Sequence, residues 1–139
     1  MYTKKKEGLE VKHLAVIARV AAAAAVYAID KPYDYLVRAA LEERAKSGVR
    51  VTVPFGRGNR VSEGVILTLT EESRMPELKS VLSVLDDESV LGPAQTKLAL
   101  WLRERTFCTL YEAVKALLPA GLWYRVREVC ALTVSREEA

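Results

Sequence analysis

The stretch "VRVTVPFGRGNRVSEGVILTLT", Val49 to Thr70, decides the fold. Val49, Val51 and Val53 alternate with Arg50 and Thr52, the period of a strand with one apolar face. Pro54 breaks the run, Phe55 adds a large ring, and "GRGNRVSEG" is rich in turn formers. A second alternation follows, with Val65, Leu67 and Leu69 against Ile66, Thr68 and Thr70. Two such runs joined through a glycine-rich connection predict a β-hairpin. The connection lacks the Gly-Lys-Ser/Thr of a Walker phosphate loop. It is not a dinucleotide fingerprint either, because no helical pattern follows it.

Upstream, Pro32 disfavours helix at Lys31. Tyr33, Tyr35 and Val37 then alternate with Asp34 and Leu36, which predicts a strand. The segment before it, "HLAVIARVAAAAAVYAID", supports two readings. Alanine propensity favours helix, whereas the alternation of Val16, Ala18 and Val20 favours an extended chain. "RAALEERAKSG" is helix-tolerant and closed by Gly48, and "EESRMPE" reads as a loop. "LKSVLSVLD" reads as a short helix or a last strand. Then the period changes. Pro93 stands at a helix-start position ahead of Leu98, Trp101 and Leu102, and Leu110, Val114 and Leu117 repeat the helical spacing before Pro119 and Gly121. These six apolar residues are expected to form the core between helices and sheet.

The expected fold is α+β: a small twisted, partly closed, barrel-like sheet, then two packed helices. Residues 1–12 form a polar, lysine-rich arm. Residues 13–121 form the domain, with strands to about residue 85 and helices over about 93–118. Residues 122–139 have a charged exit and lead out of it.

The chain has 139 residues, half of them hydrophobic, which suits one domain with a proper core. A net charge of +3 permits nucleic acid without demanding it. Two distant cysteines, Cys108 and Cys130, and the single His13 cannot build the common Cys/His zinc site, so no metal or cofactor is expected in this chain. No Ser/His or Cys/His pairing is credible, and an enzyme by itself is not expected. Glu7, Glu10 and His13 interrupt the start, and Arg19 splits the apolar run, so a secretory signal or membrane span is not expected. The expected compartment is the cytoplasm.

"DKPYDYLV", "GVRVTVPFGRGNRVSEGVIL", "LKSVLSVLD" and "LWLRERTFCTLYEAVKALLPAGL" follow one another in the order of a known family. The chain resembles the N-terminal 3′-DNA-binding domain of primosomal protein N′, the PriA replication-restart helicases. The resemblance runs from about Val16 to Leu122. It implies a domain that binds the 3′-hydroxyl end of the nascent leading strand at stalled forks, with little sequence specificity. It implies partners in DNA ends and branched forks, in the remaining helicase domains, and in single-strand-binding and primosome proteins. Residues 122–139 would lead toward a winged helix. ATP, magnesium and structural zinc would belong to later parts of such helicases.

The family's end-binding residues fall on Tyr33, Asp34, Gly56 and Lys79. Arg57 and Arg60 would flank that pocket, either as contacts to the phosphate backbone or as a charged hairpin tip that keeps the edge soluble. A carboxylate such as Asp34 repels phosphates but accepts strongly from a free hydroxyl, so it can filter for a 3′-hydroxyl end. The bland reading is an ordinary strand-edge aspartate. Gly56 suits close backbone approach or a turn. Lys79 would offset Asp34 and the terminal phosphate, and Tyr33 would stack on or wall in the base. Strand alternation places Tyr33 and Asp34 on opposite faces. The rival expectation is an interaction scaffold that docks on helicase lobes or on primosome proteins.

Overall fold

In the computed structural model, the described residues are 15–73, 77–119, 121–122 and 129–131. The arm 1–12, His13 and most of 122–139 lie outside them. Five strands form an antiparallel sheet: β1 (Val16–Ala22), β2 (Tyr33–Val37), β3 (Arg50–Phe55), β4 (Arg60–Thr70) and β5 (Ser83–Val84), in the order β2-β1-β4-β3-β5. Two helices follow, α1 (Pro93–Arg105) and α2 (Leu110–Leu117). The α+β expectation holds.

The hairpin forms where the alternation puts it. β3 and β4 pair from Arg50↔Val65 to Phe55↔Arg60. Pro54 lies beyond the reach of the two-residue β5, so its missing N–H falls on an edge. The alanine run resolves as strand to Ala22 and turn after it. β1 is paired on both sides, with β2 and β4, and that ladder overrides alanine's helix propensity. "LKSVLSVLD" resolves as the closing segment of the sheet. Leu36 donates to the Lys79 carbonyl (2.8 Å) and Val81 donates back to Leu36 (2.9 Å). Ser83 and Val84 pair with Thr52 and Val51. The sheet therefore stays open as a ladder, yet the segment that carries the edge strand β5 also bridges to the other edge strand, β2.

Side chains pack on both faces. Inside the curl, Val20, Val51, Val53, Ile66, Tyr35 and Val81 form one buried core. The buried Tyr35 hydroxyl donates to the Pro54 carbonyl at 2.9 Å, and burial, with the Tyr33 phenol beside it, pushes its pKa up to about 12. This bond ties β2 to the far end of β3. On the outer face, Ala21 and Val65 meet Leu110, Val114 and Ala99. Both faces of β4 are thus covered, which is why Val65 and Ile66 are buried side by side.

α2 lies on β1 and β4, and α1 packs chiefly on α2. α2 begins with a capping box: the Glu112 N–H donates to Thr109 Oγ1, and the Thr109 N–H donates to the Glu112 carboxylate at 2.7 Å. The buried Asp30 carboxylate takes the Leu110 N–H and, at 2.7 Å, Arg103 Nε, so one side chain holds both helices to the sheet. One core expectation is corrected. Leu110 and Val114 are buried and Leu102 and Leu117 pack against them, but Trp101 is 51% exposed and Leu98 is exposed too. α1 buries only a narrow stripe around Ala99 because its main neighbour is another helix. The Arg105 guanidinium covers the Trp101 ring at 5.5 Å.

Candidate nucleic-acid interface

β2, the β3–β4 turn and the closing segment meet around an open cleft of about 780 Å³. Tyr33, Asp34, Gly56 and Lys79 all line it, and Phe55 and Arg19 complete the walls. A second cleft of about 830 Å³ lies next to it, sharing Phe55 and Gly56 and adding Arg57 and Arg60. The four pocket residues are brought together, and the two rim arginines stand beside them.

Tyr33 points to the core side of β2, in phase with Tyr35 and Val37, and Asp34 points the other way. Both reach the cleft because it wraps the start of the strand, where Lys31 and Pro32 also line it. The Tyr33 hydroxyl donates to the Ile29 carbonyl at 2.6 Å. Burial and the nearby Asp30 charge hold its pKa above the ordinary phenol value. Its ring meets Phe55 edge-on, with centroids 5.1 Å apart, and Lys31 lies 5.4 Å from its centroid. The ring is fixed by a hydroxyl anchor, an aromatic neighbour and a cation.

Asp34 is 13% exposed at its side chain and is not bare. One oxygen accepts from Arg19 Nε at 3.2 Å and the other accepts from Ser73 Oγ at 2.7 Å. Arg19 stands directly opposite Asp34 in the β1–β2 register, beside a bulge in the β1–β4 ladder. A carboxylate has about four lone-pair sites, so two acceptor positions remain. The counter-charge at Asp34 is therefore Arg19, not Lys79. Sequence reasoning missed both Arg19 and Ser73. The one local signal was an arginine standing alone in the apolar run of β1.

Lys79 instead donates to the Gly56 carbonyl at 2.5 Å. That carbonyl also accepts from the Asn59 N–H (3.2 Å) inside the turn. Lys79 thus spans the mouth of the curl, with its backbone on β2 and its ammonium on the hairpin. Gly56 has φ +74°, where a side chain is strained, and beyond its chain neighbours nothing lies within 4 Å of the position of an added Cβ. It serves the turn and leaves open space beside it. Among the described residues neither Arg57 nor Arg60 has an acidic partner. No group of three His, Cys, Asp or Glu among the described residues could hold a metal, and no described helix is long and apolar enough to cross a membrane.

An α+β domain with an open cleft of aromatic, acidic and basic side chains, flanked by free arginines, has the make-up of a small nucleic-acid-binding module. Comparison with known proteins specifies the class. Residues 19–119 match the family model described as 3′DNA-binding domain (3′BD), that of PriA, and the chain belongs to this family. It is also 35% identical over 96 residues to the replication restart protein PriA of Bacillus subtilis (strain 168). That alignment covers 68% of this chain and 12% of the longer relative.

Proposed function

We propose that this domain captures the free 3′-hydroxyl end of a DNA strand, as on the nascent leading strand of a stalled fork. The observation that carries the reading is the convergence of Tyr33, Asp34, Gly56 and Lys79, with Phe55 and Arg19, on one cleft. The terminal hydroxyl donates to the Asp34 carboxylate, a charge-assisted bond worth about 1.5–3 kcal/mol. A 3′-phosphate would bring charge against charge there, and an internal nucleotide has no hydroxyl to offer. Arg19 offsets the carboxylate so that the approaching backbone is not repelled. Tyr33 and Phe55 wall in the terminal base by its π surface, which every base has, so little sequence preference results. Gly56 leaves room for the sugar, and Lys79 keeps the turn docked against β2. Arg57 and Arg60 take phosphates at the rim.

On this reading the unit is residues 13–121, with 122–139 leading toward a winged helix. It acts by binding alone. The ATP-driven unwinding, with its magnesium and zinc, lies elsewhere in a cytoplasmic PriA-like helicase, which this domain aims at the fork. The test is binding of short labelled oligonucleotides that differ only at the 3′ end. The hydroxyl end is expected to bind at least about tenfold more tightly than the phosphate end, and Asp34→Ala to remove the difference. Equal binding of the two ends by the wild-type domain would sink the reading.

A second reading is favoured by the exposure of Leu98, Trp101 and Phe107, the last 97% exposed. It has this apolar side dock on the helicase lobes of the same polypeptide, with single-strand-binding and primosome proteins as further partners. Salt separates the two. Phosphate-based binding weakens steeply as salt rises, and apolar docking does not.

A further inference from the structure

We propose that the single strand leading to the bound 3′ end passes over the β3–β4 turn and lies in the second cleft, its phosphodiesters held by Arg57 and Arg60. The inference rests on the end-binding reading and extends it from one nucleotide to a strand path.

Continuity comes first. Phe55 and Gly56 line both clefts, so a chain whose last nucleotide fills the first cleft meets the second as its next neighbour. Gly56 places no side chain on the crest between them, and the space over it is open.

Charge comes second. Arg19, Arg44, Arg50 and Arg103 each hold an aspartate. Arg57 lies on the four-residue turn and Arg60 at the start of β4; both are exposed and carry no acidic partner among the described residues. Unneutralised guanidinium groups beside a cleft attract a polyanion and fork onto phosphate oxygens. The carboxylate that lines this cleft, Glu63, lies 4.0 Å from Arg50, which offsets its charge. Glu77 lines the first cleft and not the second.

The floor comes third. Ala23 donates its N–H to the Glu63 carbonyl at 2.8 Å, and Ala24 donates to Ser62 Oγ at 3.0 Å. These backbone donors are already used. With small side chains above them, the floor offers little to read a base edge. The contacts left are to the sugar-phosphate chain, which position a strand without reading its sequence.

The test is a length series of 3′-hydroxyl oligothymidylates, from about two to about eight nucleotides, titrated at several salt concentrations. Wild-type affinity is expected to rise with length. In Arg57→Ala/Arg60→Ala the rise is lost, and the slope of log K against log salt falls by about 1.4, two single-strand phosphate contacts. Arg57→Glu/Arg60→Glu weakens the longer oligonucleotides further, and weakens them by more than it weakens the dinucleotide. The preference for a 3′-hydroxyl over a 3′-phosphate persists in both variants. Wild-type length dependence in the alanine double variant, or a wild-type affinity that does not grow with length, would overturn the strand path. Failure of the end-binding reading looks different: the wild type would not distinguish the two ends, whatever its length dependence.

Discussion

Two arginine–aspartate pairs tie strands of this sheet to their neighbours, and they are built in opposite ways. Arg50 and Asp86 are sealed, with side chains 8% and 10% exposed. The Arg50 backbone N–H (2.8 Å), Nε (3.0 Å) and Nη2 (2.6 Å) all donate to Asp86, and Nη1 donates to the Leu122 carbonyl at 2.9 Å. Arg19 and Asp34 share a single 3.2 Å contact, and Arg19 is 47% exposed. The sealed pair has spent its hydrogen-bonding capacity on the fold, joining β3 to the closing segment and to the chain beyond α2. The open pair keeps acceptor sites on Asp34 and guanidinium nitrogens on Arg19 turned toward a cleft. On the proposed reading, one chemistry serves stability in one place and recognition in the other, and coverage by the surrounding chain separates the two.

The sharpest break in this comparison is Asp86→Ala. Removing one partner of a buried pair strands the other charge, and the loss is expected to be about 3–5 kcal/mol in urea unfolding. Asp34→Ala should cost less, because the Arg19 it leaves behind is 47% exposed and stays hydrated, whereas Arg50 would be stranded at 8%. A similar stability loss in both variants would end the distinction.

Acid should separate the pairs as well. Burial opposes the charge on Asp86, but the hydrogen bonds and charge of Arg50 outweigh it and hold the carboxyl below its ordinary value of 3.8. A depressed folded pKa gives stability that is present above the unfolded value and lost as pH falls through the folded one. Unfolding free energy should therefore drop as pH falls below about 4, and Asp86→Asn should flatten that drop. An unchanged acid limb in the asparagine variant would remove Asp86 from the account.

Arg19→Ala gives a smaller effect and a more specific one. Stability should change by at most about 1 kcal/mol, while DNA binding weakens because Asp34 is left uncompensated. The double variant Arg19→Ala/Asp34→Asn should recover part of the affinity but not the preference for a hydroxyl end. A purely structural Arg19 would show no such recovery. The smallest effect is expected for Trp101→Ala, within about 0.5 kcal/mol, because the ring lies outside the core.

Much of the frame was legible in local pattern. The valines of β3, the alternation of Tyr33, Tyr35 and Val37, and Pro93 ahead of α1 each state an element within a few residues. The gathering of Tyr33, Asp34, Gly56 and Lys79 was legible only through family resemblance, since nothing local relates β2 to residue 79. Arg19 was hidden because its meaning depends on cross-strand register with Asp34. Trp101 misled for a related reason. Helical spacing shows which side chains share a face, but not whether that face meets the sheet, another helix or solvent.

The central claim is that Asp34 recognises the terminal hydroxyl itself. It is tested most directly by a two-by-two cycle: wild type and Asp34→Ala, each titrated with an oligonucleotide ending in a 3′-hydroxyl and with its 3′-deoxy counterpart. The account predicts a coupling between side chain and hydroxyl of about 1.5–3 kcal/mol, the worth of a charge-assisted hydrogen bond. Additive effects, with no coupling between Asp34 and the hydroxyl, would contradict it.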